Sequence, residues 1–181
     1  MTSDNGPRIG TNGHKSAGDL RGYKSHIWEG GHRIPFIARW PGHIDAGTLS
    51  DAPIELTDLM GTVAGIIGIE LPDEAGPDSY DISSALFGQQ RDGPIREAIV
   101  SHSENGSYAI RQGPWKLILG TDGSGGWVAP SDDPYDPERP GQLYNLEEDP
   151  GERSNVIDER PEIVARLRTL LQRYRQTGRS R

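Results

Sequence analysis

The fold of this chain is decided near its start, by Asp4-Asn5-Gly6, Leu20-Arg21-Gly22-Tyr23-Lys24 and Trp28-Glu29-Gly30-Gly31-His32-Arg33-Ile34-Pro35-Phe36. Asp4 and Asn5 are adjacent oxygen donors, and calcium or magnesium ions prefer carboxylate and amide oxygens. Lys24 carries a compact ammonium on a flexible stem, which can reach a sulfate or phosphate oxygen. Asp4-Asn5-Gly6 taken alone is also a common turn sequence, because Asx side chains hydrogen-bond their own backbone. These residues alone are compatible with two interpretations, a simple turn or an anion-binding site formed by a metal ion and Lys24.

The order and spacing of the three segments resemble the sulfatase family, in the alkaline-phosphatase superfamily. The resemblance implies that Asp4 and Asn5 supply two ligands to a calcium ion and that Lys24 contacts the sulfate group of the substrate. It extends more weakly to the last part of the chain, where Leu143–Glu152 is similar to a late acidic signature of that family. The resemblance therefore covers nearly the whole chain.

The chain departs from the family at the nucleophile. Sulfatases use a formylglycine made from the first residue of a Cys/Ser-x-Pro-x-Arg motif, whereas this sequence has no cysteine and no Ser-x-Pro-x-Arg. Asp92-Gly93-Pro94-Ile95-Arg96 has similar spacing, but its first residue is a carboxylate, and we interpret it as a loop leading into a strand. We therefore expect the C-terminal part of a sulfatase, truncated ahead of Met1 and inactive alone, with calcium bound by an incomplete shell and formylglycine only in the absent part.

Two other functions stay open on the sequence alone. One is a phosphodiesterase or phosphonate hydrolase of the same superfamily. The other is a non-catalytic module that binds an anionic sugar or a partner chain through the loops around Lys24 and His102. His102 follows a predicted strand in a loop that could face a substrate, although an ordinary loop histidine would look the same.

Composition narrows the range of partners. The formal charge of −8 argues against a general nucleic-acid binder, which needs a basic face. No apolar run is long enough to span a bilayer, and residues 1 to 20 lack the apolar stretch of a secretory signal. The resemblance implies a sulfate ester as the partner, either an aryl sulfate or a sulfated glycan, and leaves the compartment unassigned.

Apolar spacing predicts the elements of the first part of the chain. The run Ile34–Trp40, bounded by prolines, is typical of a buried strand in an α/β sheet. Apolar residues from Leu56 to Ile67 recur at steps of three and four, which predicts an amphipathic helix ended by Gly68. Met60 is expected to fill the core under this helix.

The second part is predicted to contain short strands and a terminal helix. The strand-like runs are Ala98–Val100, Tyr108–Ile110, Trp115–Leu119 and Gln142–Leu146. Residues 120 to 141 are typical of a long surface loop, and Pro161 opens a helix with one apolar stripe.

The predicted fold class is α/β. Residues 1–70 form the C-terminal part of an alkaline-phosphatase-like sheet region, and residues 71–181 form an α+β subdomain with a small antiparallel sheet and a terminal helix. Apolar strand and helix faces of residues 1–70 would be exposed in the isolated chain, which predicts self-association.

Overall fold

A computed structural model of the chain describes residues 1–10, 13–120 and 141–181. These residues form two compact units that do not follow chain order. The first, called the α2 unit after helix α2 (Asp58–Ile66), comprises Met1, Phe36–Ile99 and Arg173–Arg181. The second, called the sheet unit, comprises Thr2–Pro35 and Val100–Gln172. The predicted boundary at residue 70 refers to domains of a complete sulfatase and stays a prediction.

The small antiparallel sheet expected from the sequence is present. Four strands lie in chain order, namely β1 (Ile99–His102), β2 (Tyr108–Gln112), β3 (Trp115–Ile118) and β4 (Gln142–Asn145). Strand β3 pairs antiparallel with both β2 and β4, with Gln112 opposite Trp115 at the start of the β2–β3 hairpin. Gly113 has φ +58° in the hairpin turn, a conformation that glycine adopts without steric cost.

The core of the sheet unit joins the segment before α1 (Glu29–His32) to the strands. Its buried apolar members are Ile27, Trp28, Ala109, Ile118, Tyr144 and Leu146. The indole Nε1 of Trp28 donates a 3.0 Å hydrogen bond to Gln142 Oε1, so the one polar atom of this buried side chain is satisfied. Trp28 therefore fixes the start of α1 against strand β4.

The terminal helix α4 runs over Pro161–Thr177, as predicted. Its buried residues are Ile163, Leu167, Leu170, Leu171 and Tyr174, the stripe that the spacing indicated. A 3₁₀ turn at Ile157–Glu159 precedes it. Among the described residues, no helix has the length and apolarity needed to cross a membrane.

The buried strand predicted over Ile34–Trp40 is wrong. This segment contains one isolated bridge residue, Phe36, rather than a strand, and Ile37 is more than half exposed. Within the α2 unit, Ile37 exchanges two backbone hydrogen bonds with Met1 alone. An apolar run becomes a buried strand only where neighbouring strands and helices cover it along its length, and here a ring contact between Trp40 and Phe87 leaves most of the run exposed.

The helix predicted after Leu56 is present as α2 (Asp58–Ile66), with Gly68 at φ +72° just beyond it. Its orientation differs from the expectation, since Met60 is half exposed rather than buried. The exposed apolar residues of this segment are Leu59, Met60, Val63, Ile66, Ile67 and Ile69.

The opposite face of α2 is buried because its small and polar residues bind the chain ahead of α3 (Ser83–Leu86). Ser79 Oγ accepts a 2.7 Å hydrogen bond from Gly61 N, and Thr62 Oγ1 accepts a 3.1 Å bond from Ile82 N. A Cβ added at Gly65 would collide with the Asp81 carboxylate. Close backbone approach on this side, rather than the apolar stripe, decides how the helix packs.

The remaining element predictions fall in two groups. The segment before β1, including Asp92 and Gly93, forms bends rather than regular structure, as interpreted from the sequence. The predicted surface loop over residues 120–141 lies almost entirely outside the described residues.

Candidate anion-binding site

Asp4 and Asn5 form a bend on the surface of the sheet unit. Asp4 is exposed and Asn5 half-buried, and Ser3 Oγ donates a 3.0 Å hydrogen bond to the Asn5 main-chain oxygen. Gly6 N donates to Gly31 O at 2.8 Å, and a Cβ at Gly6 would collide with the Gly30 carbonyl. The absence of a side chain at Gly6 therefore lets the Asp4-Asn5 bend lie directly against α1.

Lys24 is brought to the same place through its main chain. Its N–H donates a 2.7 Å hydrogen bond to the carbonyl of Pro7, and its side chain is exposed. The pKa of Asp4 lies below its usual value, first because its own backbone amide donates to the carboxylate and also because of the charge of Lys24. The structure thus brings Asp4, Asn5 and Lys24 together.

The segment that carries Lys24 is a closed loop, called here the Lys24 loop (residues 21–30). Gly30 N donates a 2.7 Å hydrogen bond to Arg21 O, which joins the two ends of the loop. This junction is called here the neck of the loop. Inside the loop, Tyr23 N donates a 2.9 Å hydrogen bond to His26 Nδ1, so the His26 side chain stabilises the loop from within. This geometry leaves His26 a structural role in the described residues.

His102, the last residue of β1, is exposed and lies next to the Lys24 loop in the sheet unit. Its Nδ1 lies 3.0 Å from the Ser103 main-chain oxygen. Glu104 N donates a 3.0 Å hydrogen bond to Ser25 O, which ties the turn after His102 to the residue after Lys24. Ser25 has φ +82°, a left-handed conformation that is costly outside glycine and persists where the surroundings impose it.

A further histidine of this region, His32, was not singled out from the sequence. It lies at the end of α1. Burial lowers the pKa of His32 to about 4, and the positive charge of Lys116 adds to the effect. The side chain is therefore a neutral imidazole at neutral pH.

Beneath the Lys24 loop lies a buried ion cluster that sequence reasoning also missed. Lys116 Nζ lies 2.9 Å from Glu29 Oε1 and 2.9 Å from Glu152 Oε1. Burial acts to raise the pKa of Glu29, but the charge and hydrogen bond of Lys116 outweigh it and the net shift is downward. For Glu152, burial prevails and its pKa is raised. The available signal was Lys116 itself, a charged residue in the otherwise apolar run of strand β3.

Arg21 links the loop to the sheet. Its guanidinium lies 3.7 Å from the centre of the Trp28 ring and donates to Tyr144 Oη at 3.2 Å. Tyr144 Oη in turn donates to Gln142 Oε1 at 2.7 Å. A buried cation over an indole face is attracted by the ring as well as by its hydrogen-bond partners. The neck of the Lys24 loop is therefore anchored to strand β4.

The donor types of the Asp4-Asn5 bend fit a calcium ion, because they are one carboxylate and one amide oxygen. Calcium takes about six to eight oxygen ligands, so these two side chains would be part of a shell. Among the residues that the structure describes, no three His, Cys, Asp or Glu side chains gather into a metal-binding group. The arrangement can hold a cation only together with further ligands.

Comparison with known proteins finds similarity along most of the chain. The family model described as Sulfatase matches residues 1–69, which include the bend and the Lys24 loop. An N-acetylgalactosamine-6-O-sulfatase of Bacteroides thetaiotaomicron is 35% identical over 95% of this chain and 35% of its own length. Human arylsulfatase A is 33% identical over 94% of this chain and 36% of its own length. The chain thus spans about a third of these curated relatives.

A solved structure shows that the likeness extends to the fold. A Bacteroides thetaiotaomicron protein from a locus for the metabolism of multiple glycosaminoglycans superposes with a TM-score of 0.82 at 34% identity. The match covers 97% of this chain and 38% of the other. The similarity in fold therefore extends over nearly the whole chain.

Proposed function

Because this chain belongs to the sulfatase family, we propose that it forms the part of a sulfate-ester hydrolase that holds the sulfate group. In this proposal Lys24 binds a sulfate oxygen of the substrate. Asp4 and Asn5 supply two ligands to a calcium ion, and His102 lies on the substrate side.

One observation carries the proposal. The 2.7 Å hydrogen bond from Lys24 N to Pro7 O holds the main chain of a lysine beside the Asp4-Asn5 bend, although 18 residues lie between Asn5 and Lys24 in the chain. An ammonium next to oxygen donors suited to a cation is the arrangement that a doubly charged or esterified oxyanion requires. The bond is made by the main chain, and the lowering of the pKa of Asp4 by the charge of Lys24 supports an ammonium near the bend.

The chain's own residues bind and orient in this proposal. The exposed ammonium of Lys24 offsets the negative charge on the equatorial oxygens of the sulfate in the transition state. When bound, calcium would supply further polarisation of those oxygens. In this proposal the nucleophile is supplied from outside these 181 residues, since they contain no cysteine and no Ser-x-Pro-x-Arg.

For the substrate we favour a sulfated glycan over a simple aryl sulfate. Support comes from the N-acetylgalactosamine-6-O-sulfatase relative and from the glycosaminoglycan context of the superposed structure, both at 34% identity or above. His102 at the end of β1 and Lys24 then face the sugar and its sulfate respectively.

The test is an NMR titration of the ¹⁵N-labelled 181-residue chain with sodium sulfate, against sodium chloride at equal ionic strength. We expect the Lys24 amide to shift with sulfate and the shift to disappear in Lys24→Ala. Lys15→Ala is the matched control, because Lys15 is also an exposed loop lysine. A parallel titration with sodium phosphate examines the phosphoryl-transfer alternative.

Two outcomes would contradict the proposal. One is a Lys24 amide that responds equally to chloride and sulfate. The other is a response to phosphate that greatly exceeds that to sulfate, which would favour the phosphodiesterase or phosphonate hydrolase reading.

A further inference from the structure

Glu152 ends the acidic segment Leu143–Glu152, yet it is not a surface residue. Its side chain is fully buried, whereas Glu147 and Glu148 in the same segment are exposed. Its backbone has φ +54°, in the left-handed region that non-glycine residues adopt at a cost. A strained conformation that buries a carboxylate persists only where the surrounding contacts impose it.

Those contacts converge on the Lys24 loop. Glu152 Oε2 accepts a 2.6 Å hydrogen bond from Glu29 N. The main-chain oxygen of Glu152 accepts a 3.1 Å hydrogen bond from Arg21 Nη1. Its other carboxylate oxygen lies 2.9 Å from Lys116 Nζ, which holds the side chain in place.

Arg21 and Glu29 are at the two sides of the neck of this loop. Arg21 O accepts a 2.7 Å hydrogen bond from Gly30 N, which closes the loop. Glu152 therefore binds one residue on each side of this closing bond, Arg21 on one side and Glu29 on the other. Lys24 lies between them at the exposed end, where its main chain is held by the bond to Pro7 and, through the next residue, by the bond from Glu104 N to Ser25 O. The position of Lys24 therefore depends on the neck together with these two bonds at the tip of the loop.

We propose that Glu152 is a positioning residue for Lys24, acting by clamping both sides of the loop that carries it. The inference rests on the proposed function for what Lys24 binds, but the clamp itself is a property of this chain. A point charge must lie within hydrogen-bond distance of a sulfate oxygen to be useful, and a loop that opens at its neck does not keep it there.

The alternative is that Glu152 merely stabilises the sheet unit. The two roles differ in where the protein loosens when the clamp is lost. A positioning role predicts local opening of residues 21–30, whereas a stabilising role predicts that every protected amide of the unit exchanges faster together.

The experiment is amide hydrogen exchange by NMR on the 181-residue chain and on Glu152→Gln, which keeps the shape of the side chain but removes its charge. Glu148→Gln is the matched control, since it removes an exposed carboxylate of the same segment. We expect the Glu29 and Gly30 amides to exchange roughly tenfold faster or more in Glu152→Gln, as for loss of a charged hydrogen bond. The amides of Ile110 and Leu117 in the sheet should change far less.

A second variant, Glu152→Asp, tests whether charge or reach matters. It keeps the carboxylate but is one methylene shorter, so we expect partial rescue of the protection lost in Glu152→Gln. Unchanged exchange at Glu29 and Gly30 in Glu152→Gln would overturn the proposal. An equal acceleration of loop and sheet amides, or failure of both variants to fold, would also overturn it, because Glu152 would then be a general core residue.

Sulfate titration of the same samples separates this inference from the proposed function. If the clamp positions Lys24, the sulfate response of the Lys24 amide should weaken in Glu152→Gln and stay unchanged in Glu148→Gln. If wild type shows no sulfate response while the exchange result holds, the assigned ligand of Lys24 is wrong and the clamp stands.

Discussion

Lys116 and Glu29 form a buried ion pair, with Nζ 2.9 Å from Oε1, directly beneath the loop that presents Lys24. The two residues are 87 positions apart in the chain, so the pair joins strand β3 to the helical turn α1. Charges taken out of water are costly unless each has a partner. Lys116 serves two carboxylates, Glu29 and Glu152, whereas Arg111 lies 3.9 Å from Glu29. Removal of Lys116 therefore takes the ion-pair partner from Glu152 and leaves Glu29 with the more distant Arg111.

Lys116→Met should therefore destabilise the chain strongly. We expect a loss of about 3 kcal/mol or more in the free energy of unfolding, the range seen when one partner of a buried pair is removed. Chemical denaturation followed by tryptophan fluorescence measures it. Lys15→Met, at an exposed position, should change stability by less than about 0.5 kcal/mol.

Adding Glu152→Gln to Lys116→Met should recover part of that loss, because one unpaired carboxylate is then neutral. A double variant less stable than the sum of the two single effects would contradict the ion-cluster interpretation.

His32 should make stability depend on pH. Its pKa is lowered to about 4 in the folded chain, from an ordinary 6.5. The unfolded chain therefore binds more protons at His32 between these values. The contribution of His32 to stability is fully present above pH 6.5 and is lost as the pH falls towards 4. The shift corresponds to at most about 3 kcal/mol.

Urea unfolding at several pH values between 4 and 7 measures this dependence. His32→Gln should flatten the curve in that range relative to wild type, whereas His14→Gln, at an exposed position, should leave it unchanged. Identical curves for wild type and His32→Gln would refute the assignment.

The exposed apolar face of α2 should cause the isolated chain to self-associate. Leu59 and Val63 lie on this face and are about half exposed. Apolar patches of this kind are uncommon on monomeric proteins. Leu59→Glu combined with Val63→Glu should lower the average mass measured by light scattering, and Thr169→Glu, on the exposed side of α4, should not. A monodisperse wild-type monomer would count against the prediction.

Asp4 and Asn5 should respond to calcium. We expect calcium chloride to shift their amide resonances with an affinity no tighter than roughly millimolar, because two ligands are far fewer than a full shell. Asp4→Ala should abolish the shift, and Asp51→Ala, which removes another exposed carboxylate, should retain it. An unchanged response in Asp4→Ala would exclude the bend as the site.

The 181-residue chain assayed by itself should not hydrolyse sulfate esters. The physical reason is that these 181 residues contain neither a cysteine nor a Ser-x-Pro-x-Arg motif from which formylglycine could be made. Suitable substrates are 4-methylumbelliferyl sulfate and N-acetylgalactosamine 6-sulfate, each compared with a heat-killed sample. Turnover above that background would show that another group of the chain serves as nucleophile.

Local patterns accounted for much of the fold. The spacing of apolar residues indicated α4, and the strand-like runs Tyr108–Ile110 and Trp115–Leu119 indicated β2 and β3, because both patterns depend on neighbours within a few positions. The same kind of pattern failed for Ile34–Trp40 and for the orientation of α2. Both depend on what covers an apolar surface, which periodicity does not encode.

For the site, the sequence by itself determined the residue types: an Asp-Asn pair, a lysine at fixed spacing and the glycines that allow close approach. Only the tertiary structure decided that these lie together and how they are held. Glu152 and Glu29 are 123 positions apart, and their hydrogen bond exists because the chain returns along strand β4. A buried charge reveals its partner only in three dimensions, because electrostatic pairing follows distance through space rather than distance along the chain.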